Sequence, residues 1–118
     1  MSVRTYQMYI DGKWVNAESG KTYQAFNPAT EEVIAELPLG DKADVDKAVK
    51  AAQKAFPIWS SKSVNDRARI LKQIAAAIRE KIPELIEMDV LDHGAPVNVS
   101  KIFTGITPMH FENAAELE

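Results

Sequence analysis

The sequence predicts an α+β chain in which short N-terminal β-hairpins precede an α-helical hairpin. Three observations predict it. Residues 8–15 place two aromatic and β-branched runs around Asp11-Gly12. The apolar positions Val45, Ala48, Val49, Ala52, Ala55 and Phe56 then follow helical spacing. Ala68, Leu71, Ile74, Ala75, Ile78 and Ile82 repeat that spacing after a fresh capping signal. The 118 residues read as a single domain that is β-rich over 1–40, helical over 41–96, and irregular or briefly helical over 97–118.

Each element has a local cause. Asp11-Gly12 is a strong hairpin signal because both residue types tolerate the positive φ of a type I′ turn. Asn16 to Lys21 is polar, contains Gly20, and reads as a loop. Thr22 to Phe26 is a strand closed by Asn27-Pro28, since the residue before a proline is biased away from helix. Ala29 to Glu32 forms a turn, and Val33 to Leu37 a further strand ending at Pro38 and Gly40. Asp41 starts the first helix as N-cap. Asp44 stands three residues on in a capping-box arrangement, and Asp46 adds a second early acid. The small apolar face of this helix allows close approach to a neighbour, and Pro57 is expected to stop it.

Ser63 with Asp66 supplies the second helix start. Pro83 breaks or kinks that helix and opens a third segment, Glu84 to about Leu91, with Gly94 at the position after its C-terminus. Beyond Pro96, a helical turn or two from Val97 to Phe103 is interrupted at Gly105 and Pro108. Phe111 to Leu117 forms a last short helix. Leu117-Glu118 reads equally as native sequence or as an expression scar.

Composition excludes several kinds of function. A net charge of −3 gives no general attraction to nucleic acid or to an anionic membrane. Arg67, Arg69, Lys72, Arg79 and Lys81 read as a solvated helix face. No cysteine is present, so disulfides, thiolate metal sites and a cysteine nucleophile are excluded. Met1-Ser2-Val3-Arg4 leads into no signal-peptide-like run, and no segment has the apolar length of a membrane span, so a cytoplasmic location is expected. His93 and His110 have no ligand cluster at metal spacing, and His93 suits a helix C-terminus. Ser60, Ser61 and Ser63 surround a helix start and read as capping residues. Glu84, Glu87, Asp89 and Asp92 read as a solvated acidic face. No glycine-rich phosphate loop follows a strand.

Five segments in order carry a family resemblance. Tyr9-Ile10-Asp11-Gly12-Lys13-Trp14-Val15 resembles the first hairpin of NAD(P)-dependent aldehyde dehydrogenases. Phe26-Asn27-Pro28-Ala29-Thr30 with Val33-Ile34-Ala35 is similar to their next segment, with Glu31-Glu32 where Gly-Glu is common. Asp44 to Val49 with Ala52 to Trp59 resembles their first helix, and Arg67 to Leu71 their second. Leu91-Asp92-His93-Gly94-Ala95-Pro96 falls where the family reads Leu-Asp-Thr-Gly-Lys-Pro. Ala95 departs from the usual lysine, and residues 97–118 match the pattern poorly.

The resemblance implies an N-terminal scaffold segment, a partial domain of a fold whose members oxidise aldehydes to acids with NAD or NADP. The nucleophilic cysteine, general-base glutamate, oxyanion-hole asparagine and cofactor loop of that family lie downstream of the residues present. No catalytic or cofactor-binding residue is therefore expected, and no cofactor is expected to bind this chain alone. Truncation, proteolysis or a split gene would each produce such a chain. In some members a monovalent cation sits near the Asn-Pro turn. The resemblance then implies the backbone carbonyls of Ala25 and Phe26 together with Asp92, while Asp92 alternatively caps local backbone donors. The partner expected is a second copy or a chain supplying the rest of the fold. The alternatives are a stand-alone interaction or oligomerisation module and a decayed gene product without activity.

Overall fold

The computed structural model describes residues 3–117, so Glu118, and with it half of the Leu117-Glu118 question, lies outside the described residues, as do Met1 and Ser2 of the N-terminal leader reading. Eight elements follow in order: β1 (Arg4–Thr5), β2 (Met8–Ile10), β3 (Lys13–Val15), β4 (Thr22–Phe26), β5 (Val33–Pro38), α1 (Lys42–Ser60), α2 (Val64–His93) and α3 (Val97–Glu116). This is the α+β arrangement expected. The chain divides into two compact units, Met1–Ser60 and Ser61–Glu118.

The first unit holds two small sheets and α1. In the three-stranded sheet, ordered β1-β5-β4, the central strand β5 runs parallel to β1 and antiparallel to β4. β1 has no strand signal of its own, because two residues are too short to show alternation. Its pairing of Arg4 with Ala35 and Thr5 with Glu36 is a long-range contact. Hairpin β2–β3 forms the second sheet, and the turn residues Asp11 and Gly12 take φ 52° and 77°, as a type I′ turn requires. Tyr9 and Trp14 pair directly across it, with ring centroids 4.9 Å apart.

The β4–β5 connection is held by Asn27. Its side-chain oxygen accepts from the Ala29 amide at 2.9 Å, and its carbonyl accepts from the Glu31 amide at 2.8 Å. Glu31 consequently sits at φ 60°, a left-handed conformation that disfavours a residue with a Cβ. Glu31→Gly is therefore expected to stabilise the first unit by about 0.5 to 1 kcal/mol, the relief of strain exceeding the added freedom of the unfolded chain. A denaturant midpoint that falls on this substitution would refute the assignment of strain.

Helix α1 begins as its sequence implies. The Asp41 carboxylate accepts from the Ala43 amide at 2.8 Å, and Asp44 reaches back to the Asp41 amide at 3.0 Å. Pro57, expected to stop this helix, does not: α1 continues to Ser60. A proline removes the hydrogen bond to the carbonyl four residues back and crowds it, at a cost of roughly 3 kcal/mol in a helix interior. At Pro57 only the final turn remains to be formed.

The second unit is a pair of long helices. Ser63 accepts the Asp66 amide at 3.2 Å at the start of α2, and Gly94 ends it in the left-handed conformation at φ 72°. Two further expectations are corrected here. Pro83 does not divide the segment into two helices, since α2 is continuous over 30 residues. Residues 97–116 are not irregular but form one helix through both Gly105 and Pro108. The physical reason is the seam between α2 and α3. Ser100, Pro108 and Ala115 recur along one stripe of α3 and are buried, with Ala75 of α2 fully buried. Packing along that seam outweighs the one bond each proline forfeits, a tertiary override of local propensity. The Ser100 hydroxyl lies 3.5 Å from the Ile86 carbonyl across it.

The buried side chains among the described residues are Ala17, Ala35, Asp44, Ala75, Ser100, Pro108 and Ala115. Among the described residues, every larger apolar side chain keeps some contact with water.

Candidate functional site

Hydrogen bonding in the first unit converges on Asp44. Its side chain is only 4% exposed. Besides the Asp41 amide it accepts from the Glu18 amide, 26 residues earlier, at 3.1 Å. One carboxylate thus fixes both the start of α1 and the loop containing Ala17. The ion pair of Lys47 with Glu18 at 2.6 Å reinforces the same junction, and that hydrogen bond raises the Lys47 pKa. Sequence reasoning placed Asp44 in the capping box but missed its bond to Glu18. Local spacing holds no record of a partner so far away.

His93 ends α2 with its Nδ1 3.7 Å from an Asp89 carboxylate oxygen. Among the described residues, no group of three or more His, Cys, Asp or Glu side chains could hold a metal ion. Ala25 and Phe26 close β4 in the first unit, at a shift in its register with β5. Asp92 lies exposed in the last turn of α2 in the second unit. Backbone carbonyls and a carboxylate are hard oxygen donors of the type that hold alkali and alkaline-earth cations.

The described residues also present apolar surface. On α1, Val45, Val49 and Phe56 are 58%, 49% and 67% exposed. Ala48, Ala51, Ala52 and Ala55 line an open groove with the turn end of hairpin β2–β3, from Tyr9 to Gly12. Part of the small apolar face of α1, expected to allow close approach to a neighbour, therefore meets the hairpin of its own unit. On α3, the side turned away from the seam carries Ile102, Phe103, Ile106 and Met109, all exposed. Apolar stripes of this kind at helical spacing mark surfaces built to be covered.

An ion pair also links the two helices of the second unit. Arg79 on α2 forms a two-pronged ion pair with Glu112 on α3. That hydrogen bond raises the arginine's pKa and lowers the carboxylate's from its ordinary 4.5. Asp66 is lowered too, first by the Ser63 hydroxyl and then by Arg69. A carboxylate whose folded pKa is depressed stabilises the fold above its unfolded pKa and loses that contribution as pH falls through the folded value. The helical pair is therefore expected to lose stability on acidification from 4.5 downward. Glu112→Gln should flatten that decline, and an unchanged pH profile of the denaturation midpoint would refute the role of this pair.

Comparison with known proteins decides the relationship. The family model described as aldehyde dehydrogenase family matches residues 14–117. The chain belongs to the aldehyde dehydrogenase family. It resembles the malonate-semialdehyde dehydrogenase of Bacillus pumilus (strain SAFR-032), with 41% identity over 99 residues, which is 84% of this chain and 20% of that protein. Among solved structures it is similar to an NAD-dependent aldehyde dehydrogenase from Sinorhizobium meliloti. There the TM-score is 0.92 at 33% identity, covering 98% of this chain and 24% of the other. PnpE, solved in complex with nicotinamide adenine dinucleotide, matches with a TM-score of 0.91 at 34% identity, over 95% of this chain and 23% of PnpE. The chain thus corresponds to an N-terminal segment of an aldehyde dehydrogenase family protein and spans about one fifth of the curated relative it matches.

The match also reaches through α3, the stretch whose pattern departed most from the aldehyde dehydrogenase sequence. Its departures, Pro108 included, are accommodated within a helix. Among the described residues, no helix is long and apolar enough to cross a membrane.

Proposed function

We propose that this chain is the N-terminal scaffold segment of an aldehyde dehydrogenase-like oxidoreductase that converts an aldehyde to a carboxylic acid with NAD(P), and that it carries no catalytic group itself. The supporting observation is coverage combined with chemistry. The chain spans 20% of the malonate-semialdehyde dehydrogenase it resembles, and its sequence contains no cysteine. Aldehyde oxidation through a covalent adduct needs a thiolate to add to the carbonyl carbon, and a serine or threonine hydroxyl with no adjacent base is a far weaker nucleophile at neutral pH. The bound nicotinamide of a whole enzyme supplies the hydride acceptor, and the residues present offer no glycine-rich cradle for its phosphates.

The test is direct. The purified chain, mixed with NAD or NADP and a panel of aldehydes including malonate semialdehyde, is expected to give no reduced nicotinamide by absorbance. Sustained turnover would overturn the reading.

The exposed stripes of α1 and α3 favour a second reading, an interaction or oligomerisation module. In it the chain self-associates or docks a chain supplying the remaining fold in the cytoplasm, with no affinity for nucleic acid or membrane at its charge of −3. Sedimentation combined with an apolar dye distinguishes the outcomes. Association that removes dye binding supports this reading, and a compact monomer that binds no dye argues against it.

A further inference from the structure

We draw no further inference here: the strongest candidate, the outward apolar surface patch of α3 around Ile102, Phe103 and Ile106, carries none because nothing in the structure shows what covers it.

Discussion

Asp44→Ala is expected to destabilise the first unit by about 3 kcal/mol, a large share of the 5 to 15 kcal/mol typical of a folded domain. The carboxylate accepts from two backbone amides, those of Asp41 and Glu18, at 3.0 and 3.1 Å. Truncation leaves both donors without their acceptor in a place water reaches poorly, since the side chain is 4% exposed. It also removes a negative charge from the first turn of α1, where the helix dipole favours one. Asp44→Asn keeps an acceptor oxygen and should lose about half as much. Trp14 and Trp59 both lie in this unit, so their emission during denaturation reports the change. A midpoint for Asp44→Ala equal to that of the parent would show that the junction contributes nothing.

Ala75→Leu should cost about 1 to 3 kcal/mol in the second unit, at the upper end if the helices separate. Ala75 is fully buried on the α2 side of the seam, and the α3 residues at that seam, Ser100, Pro108 and Ala115, are themselves small or rigid. A leucine there has no void to fill. It either adopts a poor rotamer or pushes α3 outward, which would strain the Arg79–Glu112 pair. Far-UV ellipticity is the suitable readout, because α2 and α3 provide 30 and 20 helical residues. Ala75→Gly is the complementary control, destabilising through helix propensity by about 1 kcal/mol without overpacking. Equal midpoints for the leucine variant and the parent would mean that the seam is looser than the burial of Ala75 implies.

Legibility in the sequence followed the range of each interaction. Features decided within four residues were readable. Asp11-Gly12 set the hairpin, Asp41 with Asp44 and Ser63 with Asp66 set the helix starts, and Gly94 set an end. Strand β4 was readable from its own composition and the Asn27-Pro28 stop. The three prolines misled because a local rule was applied where tertiary packing or position prevailed. Pro57 sits in a last turn, Pro83 within a long packed helix, and Pro108 inside the seam.

Strand β1 and the Asp44–Glu18 bond depend on residues about 30 positions apart, and no spacing rule encodes such a pairing. The candidate site was legible only where spacing along one helix defines it. The helical stripe containing Val45, Val49 and Phe56 was readable from its spacing, and those side chains are exposed on α1. The apolar outer side of α3 escaped notice because Gly105 and Pro108 had already removed that segment from the helical reading.

The buried positions have a calorimetric consequence. Four of them are alanine, Ala17, Ala35, Ala75 and Ala115, and the others are Asp44, Ser100 and Pro108. The larger apolar side chains, such as Ile34, Leu71, Ile78 and Phe111, are only half-buried, so unfolding newly wets less hydrocarbon than a full core would, and the heat-capacity increment of unfolding grows with the apolar area exposed. The free-energy curve against temperature is expected to be correspondingly shallow, with a broad and low melting endotherm. Covering the outer sides of α1 and α3 would add the missing hydrocarbon burial, so the arrival of a partner would register as a sharpened, taller endotherm before any change in helix content.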